Sequence, residues 1–232
     1  MPKSSKLNLT RRSFLLGGSA GLAAAAFALS GCNRKKGGNA ENAKGDIVAA
    51  FASTAPNISP VANTNSLGRS TLLHISEGLY NVDPVTYKTY NGLAALSPNK
   101  INDYSYEVVL RDDATFSDGN PVRPEDVVNS FKLNMQDSVM GPLLSFIKDI
   151  STKDNKTISI SLNYPFENLI EERLATVFIW PASQAEKDYQ TKPIGTGPWM
   201  LKSFDGNDGG KIEFVRNSYY SGKDEVPGER MT

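Results

Sequence analysis

From Ser13 to Asn33 the chain carries no charged side chain, and this run decides how much of the sequence is available to fold. It is long enough on paper to cross a bilayer, which takes ~20 apolar residues. Its composition argues otherwise. Gly17, Gly18, Ser19, Gly21, Ser30 and Gly31 dilute it, alanine fills its centre, and only Phe14, Leu15, Leu16, Leu22, Phe27 and Leu29 are strongly apolar. Lys3, Lys6, Arg11 and Arg12 precede or border it, and no acid occurs before Glu41. A basic start, a moderately apolar middle and a small-residue end form the layout of an export signal rather than of a retained span. The fold is therefore built from the residues beyond this run.

Two short motifs sharpen this reading. "TRRSFL" resembles a twin-arginine export signal, with Arg11 and Arg12 as the pair. "LSGC" resembles a bacterial lipobox, in which Cys32 becomes the first residue after cleavage and carries lipid on its thiol. Each buried CH₂ of an acyl chain contributes about 0.8 kcal/mol, so more than one chain anchors a protein stably. Cys32 is the only cysteine, so no disulfide and no thiolate metal site is expected. The expected organisation is a signal over 1–31, a polar tether over 32–45 and a folded domain over 46–232. The tether, "NRKKGGNAENAKG" after Cys32, buries too little apolar surface to offset its ordering entropy. Four of the 25 basic side chains lie in the signal, leaving 21 against 25 acidic ones, a net charge of −4. That balance argues against nucleic-acid binding, which needs a basic footprint.

Beyond the tether the hydrophobic period alternates between strand and helix. "DIVAAF" (46–51) reads as a buried strand, with a polar loop after it. "LGRSTLLHISEGLY" predicts a helix on Leu72, Ile75 and Leu79, ending near Gly78. His74, the only histidine, reads as a packed or surface ring. Tyr104, Tyr106, Val108 and Leu110 alternate as one face of a strand, and Asp118-Gly119 marks a turn. "RPEDVVNSFKLNM" carries helix-start chemistry, with Pro124 in the first turn, Glu125 and Asp126 behind it, and a Val127–Phe131–Met135 stripe. Asp126 reads as a helix-dipole carboxylate before it reads as a catalytic acid. Ile158, Ile160 and Leu162 alternate in a hairpin turning near Asp154-Asn155. "FENLIEERLATV" predicts a short helix, and a second polar helical piece runs from Pro181 to about Gln190. "GTGPWMLKSF" and "KIEFVRN" are strands joined by "DGNDGG". That acidic loop fails the EF-hand pattern, because Gly209 and Arg216 stand where ligands are needed.

No nucleophile elbow, phosphate-binding loop or HExxH motif occurs, and Gly195-Thr196-Gly197 is too short for a dinucleotide fingerprint. No enzyme, cofactor or metal is called for.

The order of four stretches carries a resemblance: "EGLYNVDP" (77–84), "YSYEVVLRDDATFSDGNPVRPEDVVNSF" (104–131), "PIGTGPWMLKSF" (193–204) and "IEFVRNSYY" (212–220). Together they resemble the amino-terminal half of the family 5 extracellular solute-binding proteins, the dipeptide, oligopeptide and nickel receptors of ABC importers. Arg123 departs from the threonine N-cap common there, at a cost of about 1 kcal/mol, and Ser218 and Tyr220-Ser221 replace a usual proline and tryptophan. The resemblance implies an α/β fold. It would be the first lobe of a two-lobe periplasmic-binding-protein type II-like architecture, with mixed sheets and flanking helices. Only 33 residues follow Trp199, so the resemblance implies the amino-terminal, truncated portion of a longer receptor. Its partners would be a peptide or other small solute, ABC permease subunits and, through Cys32, the membrane at the outer face of the cytoplasmic membrane or in the periplasm. A monomer is expected. Cleft-facing positions implied by the resemblance are Asn63, Thr64 and Asn65, with Met140, Gly141 and Pro142 as a second wall. The reading from a different class is a lipid-anchored interaction or sensing module without transport activity.

Overall fold

A computed structural model describes residues 54, 55, 57–61, 65–166, 169–190 and 192–222; the signal, the tether and the "DIVAAF" run lie outside the described residues. The described chain alternates helices with antiparallel strands. In order these are α1 (Ser66–Ile75), β1 (Tyr80–Val82), β2 (Thr89–Asn91), β3 (Asn99–Asn102), β4 (Ser105–Val109), α2 (Pro124–Gln136), α3 (Met140–Leu143), β5 (Ile147–Thr152), β6 (Thr157–Leu162), α4 (Ile170–Leu174), α5 (Glu186–Tyr189), β7 (Trp199–Phe204) and β8 (Ile212–Arg216). The strands form a β1-β2 pair, a four-stranded sheet of order β3-β4-β6-β5 and a β7-β8 pair. Every pairing among the described residues is antiparallel. The expected α/β architecture of sheets with flanking helices is present.

The four-stranded sheet shows why alternation was informative. Side chains on a strand point to opposite faces in turn. Tyr106 faces Ile160 across the β4–β6 ladder, and Val108 faces Ile158, all of them buried. Ser105, Glu107, Ser159 and Ser161 take the other face. A one-residue slip would drive the apolar set into water. β5 breaks the alternation: its buried residues, Ile147 and Ile150, lie three apart. A register shift between Ile147 and Asp149 explains it, since a bulge inserts one residue and reverses the phase. The amphipathic α2 lays Val127 and Phe131 on this sheet, both fully buried. Each such side chain contributes about 1.5–3 kcal/mol. A smaller cluster gathers Ile58, Leu72, Ile75, Phe178, Trp180 and Tyr189.

Four expectations need correction. The first helix ends at Ile75, because Ser76 turns extended (φ −137°) and Gly78 lies outside the helix, with Leu79 buried on the far side of the turn. Tyr104 is 53% exposed, since it sits with Asp103 in the two-residue turn between β3 and β4, and only Tyr106, Val108 and Leu110 reach the core. The piece after Pro181 is helical only over Glu186–Tyr189, and the helix in "FENLIEERLATV" only over Ile170–Leu174. Both are too short to hold themselves and are fixed by tertiary packing of Tyr189, Ile170 and Leu174. Arg123 makes no side-chain cap, as its departure from threonine implies, and only the other arm of the capping box is present: the Asp126 carboxylate accepts from the Arg123 N–H at 2.8 Å.

Candidate functional site

The implied cleft loop runs into α1. Asn63 and Thr64 lie outside the described residues. Asn65 is the N-cap of α1: its Oδ1 accepts from the N–H groups of Leu67 (3.0 Å) and Gly68 (3.1 Å), two donors that a helix start leaves without intrahelical partners. Its Nδ2 donates to the carbonyl of Thr54 at 2.6 Å. The second implied wall is built differently. Asp137 Oδ1 accepts from Val139 N–H (2.7 Å) and Met140 N–H (2.8 Å), starting α3 immediately after α2. Met140 is buried and Pro142 is exposed. A Cβ on Gly141 would sit 2.7 Å from the Met135 carbonyl, so only glycine lets the chain turn this tightly onto α2. Asn65 thus belongs to a helix packed on β7, and Met140–Pro142 to a helix packed on α2.

At the other end of α1 the Gly195-Thr196-Gly197 stretch closes against the last turn. Gly197 N–H donates to the Ile75 carbonyl (3.0 Å), and Thr196 Oγ1 accepts from Glu77 N–H (2.9 Å). A Cβ on Gly195 would lie 1.8 Å from the Ile75 oxygen, and one on Gly197 2.6 Å from the His74 oxygen. Ser76 Oγ and Tyr189 OH share a buried hydrogen bond of 2.5 Å, and the neighbouring Trp180 and Tyr189 rings lie 6.0 Å apart. The glycines are therefore a latch that stops α1 at Ile75. The signal for it in the sequence was two glycines flanking a threonine, which periodicity could not interpret.

A cavity of about 300 Å³ lies beside the start of α2, lined by Phe116, Asp118, Arg123, Asp126, Pro181 and Ser183 among others. Asp126 joins its walls: Oδ2 takes the Arg123 N–H and Oδ1 the Ala182 N–H, each at 2.8 Å. Burial pushes this carboxyl up from its ordinary value, against those two hydrogen bonds, which pull it down. With both oxygens engaged by backbone donors, Asp126 is a clamp between α2 and the Pro181 turn. His74 is exposed on α1; its Nδ1 donates to the Ser70 carbonyl at 2.6 Å and its ring stacks on Phe214 at 5.3 Å. Among the described residues no group of three or more His, Cys, Asp or Glu side chains is placed to hold a metal ion, and no helix is long and apolar enough to cross a membrane.

Residues 89–231 match the model of the bacterial extracellular solute-binding proteins, family 5 (middle). The chain belongs to this family. It is thereby placed among bacterial extracellular solute-binding proteins rather than among enzymes. It is 30% identical over 178 residues to the probable peptide ABC transporter periplasmic-binding protein y4tO of Sinorhizobium fredii, covering 72% of this chain and 32% of that one. It is 32% identical over 130 residues to the nickel-binding periplasmic protein of Escherichia coli, covering 51% and 24%. The fold is similar to that of the oligopeptide-binding protein AppA of Bacillus subtilis, with a TM-score of 0.63 at 19% identity, over 72% of this chain and 35% of AppA. The chain thus spans about a quarter to a third of the length of these proteins. Within the family 5 chain, the long second motif becomes β4, the turn at Gly119 (φ +86°) and α2, and the third becomes the latch and β7.

Proposed function

We propose that this family 5 chain is the first-lobe part of a lipid-anchored substrate-binding protein of an ABC importer, which captures a peptide or a similar small solute and presents it to permease subunits. The match of residues 89–231 to the family carries the reading, and likeness to a probable peptide ABC transporter periplasmic-binding protein supports the solute class. Residues 1–31 act as a twin-arginine signal read through Arg11 and Arg12, Cys32 is acylated, and 32–45 tether the receptor to the membrane as a monomer. The loop that holds Asn63 and Thr64 and ends at Asn65 forms one wall of the solute site, and Met140, Gly141 and Pro142 form the second. Small polar side chains just ahead of a helix start suit a peptide backbone or its carboxylate end. Capture shifts an open–closed equilibrium, because a solute can bias two states only by its differential affinity for them.

The test is equilibrium dialysis of the receptor as the cell makes it against a tripeptide pool and, separately, a nickel–histidine chelate. Retention of peptide at micromolar levels is expected. Retention of the chelate alone moves the solute class to metal complexes, and retention of neither refutes the receptor reading in favour of an interaction module.

A further inference from the structure

Asn65 stands where two parts of the chain meet. Two of its hydrogen bonds, through Oδ1 to Leu67 and Gly68, serve the start of α1. The third, from Nδ2 to the Thr54 carbonyl, reaches back eleven residues and closes the neck of the loop that leads into the helix. The loop is fixed at other points too. Ala55 N–H donates to the Gly206 carbonyl at 2.9 Å, and the backbones meet so closely that a Cβ on Gly206 would lie 1.8 Å from the Ala55 oxygen. Ile58 is fully buried in the smaller core cluster. Ser59 Oγ donates to the Val61 carbonyl at 2.9 Å and shapes the bend at Pro60-Val61.

A side chain that reads a solute must turn its polar groups toward it. The carbonyl oxygen of Asn65 is engaged by two backbone donors, and its amide is turned onto the Thr54 oxygen, to which it donates one of its two N–H groups. We propose that Asn65 is a positioning residue: its amide clasps Thr54 to the start of α1 and sets the loop that carries the solute contacts, without being one of them. The functional half of this inference rests on the receptor reading; the clasp itself does not. Residue chemistry separates the two jobs of Asn65. Aspartate and serine cap helices about as well as asparagine. Neither can supply the amide donor to Thr54, and aspartate would set a carboxylate against a carbonyl oxygen.

The experiment compares wild type, Asn65→Asp, Asn65→Ser and Asn65→Ala in the receptor as the cell makes it. It reads amide exchange at Ala55, Ile58, Ser59 and Val61, thermal melting, and dialysis against the tripeptide pool. The aspartate and serine variants should melt close to wild type. Their loop amides should exchange roughly fivefold faster, the change that one hydrogen bond of ordinary net strength makes, and peptide retention should weaken by a similar factor. The alanine variant should show both effects and also melt lower, because it removes the cap. Unchanged exchange in both cap-retaining variants overturns the clasp. Faster exchange with unchanged peptide retention overturns the positioning role and leaves the receptor reading standing. A wild-type receptor that retains no peptide sinks the receptor reading instead, and exchange alone then decides the clasp.

Discussion

Replacing Gly195 with alanine tests the latch at the end of α1. The added Cβ would meet the Ile75 oxygen at 1.8 Å, the Ile75 carbonyl carbon at 2.8 Å and Ser76 Oγ at 2.9 Å. Both nearest atoms are backbone, so no rotamer change relieves them. Ordinary contact begins near 3.4 Å, so the two strands of chain must part by about 1.5 Å, a shift that an overpacked core resists at about 1–3 kcal/mol. The same shift breaks the bonds that cross the contact. Gly197 N–H loses the Ile75 carbonyl and Glu77 N–H loses Thr196 Oγ1, in a region where Glu77 and Thr196 are both buried. An orphaned buried donor costs about 1–3 kcal/mol. With two donors orphaned the total is roughly 3–9 kcal/mol, a large share of the ~5–15 kcal/mol that stabilises an ordinary domain. Gly209→Ala is the control: it has no atom within 4 Å of its Cβ but a φ of +73°. Its cost is conformational only, about 1–2 kcal/mol. Urea unfolding followed by circular dichroism measures both. If Gly195→Ala loses less than Gly209→Ala, the steric argument is wrong and the latch is not what ends α1.

Three further outcomes rest on the same geometry and on the amino-terminal motifs. Asp126→Asn keeps one acceptor for two backbone donors at Arg123 and Ala182, so it should cost about 1–3 kcal/mol in urea unfolding; a neutral result would show that the clamp carries no stability. Asp83, Asp154 and Glu213 are held below their ordinary values, Asp83 and Asp154 by turn N–H groups first and Glu213 by Lys211 first. Groups depressed in the folded state give stability that is present above their ordinary pKa of 3.8–4.5 and lost as pH falls through the lower folded values. Melting temperature should therefore drop from pH 5 to pH 3, less steeply in Asp83→Asn, and parallel curves would exclude Asp83 as a contributor. Cys32→Ala should leave unprocessed precursor with no lipid label, and mature labelled protein in that variant would refute the lipobox reading.

What the sequence determined by itself was whatever depends on near neighbours. The period-2 run at Ile158, Ile160 and Leu162 and the helix-start chemistry at Pro124–Asp126 were legible because a strand face and a helix terminus are each specified within a few residues. The ordered motifs around Asp118-Gly119 and Gly195–Trp199 were enough to point to the family, though not to say what the glycines do. The tertiary structure alone decided where α1 stops, which partners Asp126 and Asn65 hold, and why Tyr104 lies outside the core. Most of these are contacts across a long stretch of sequence. Ile75 meets Gly197, Asp126 meets Ala182, Ser76 meets Tyr189, and Gly206 meets Ala55. Approaches of this kind leave no periodic trace, because a hydrogen bond across 56 or 113 residues constrains single positions rather than a pattern. A glycine in such a contact looks like any loop glycine until the chain folds back on it and leaves no room for a Cβ.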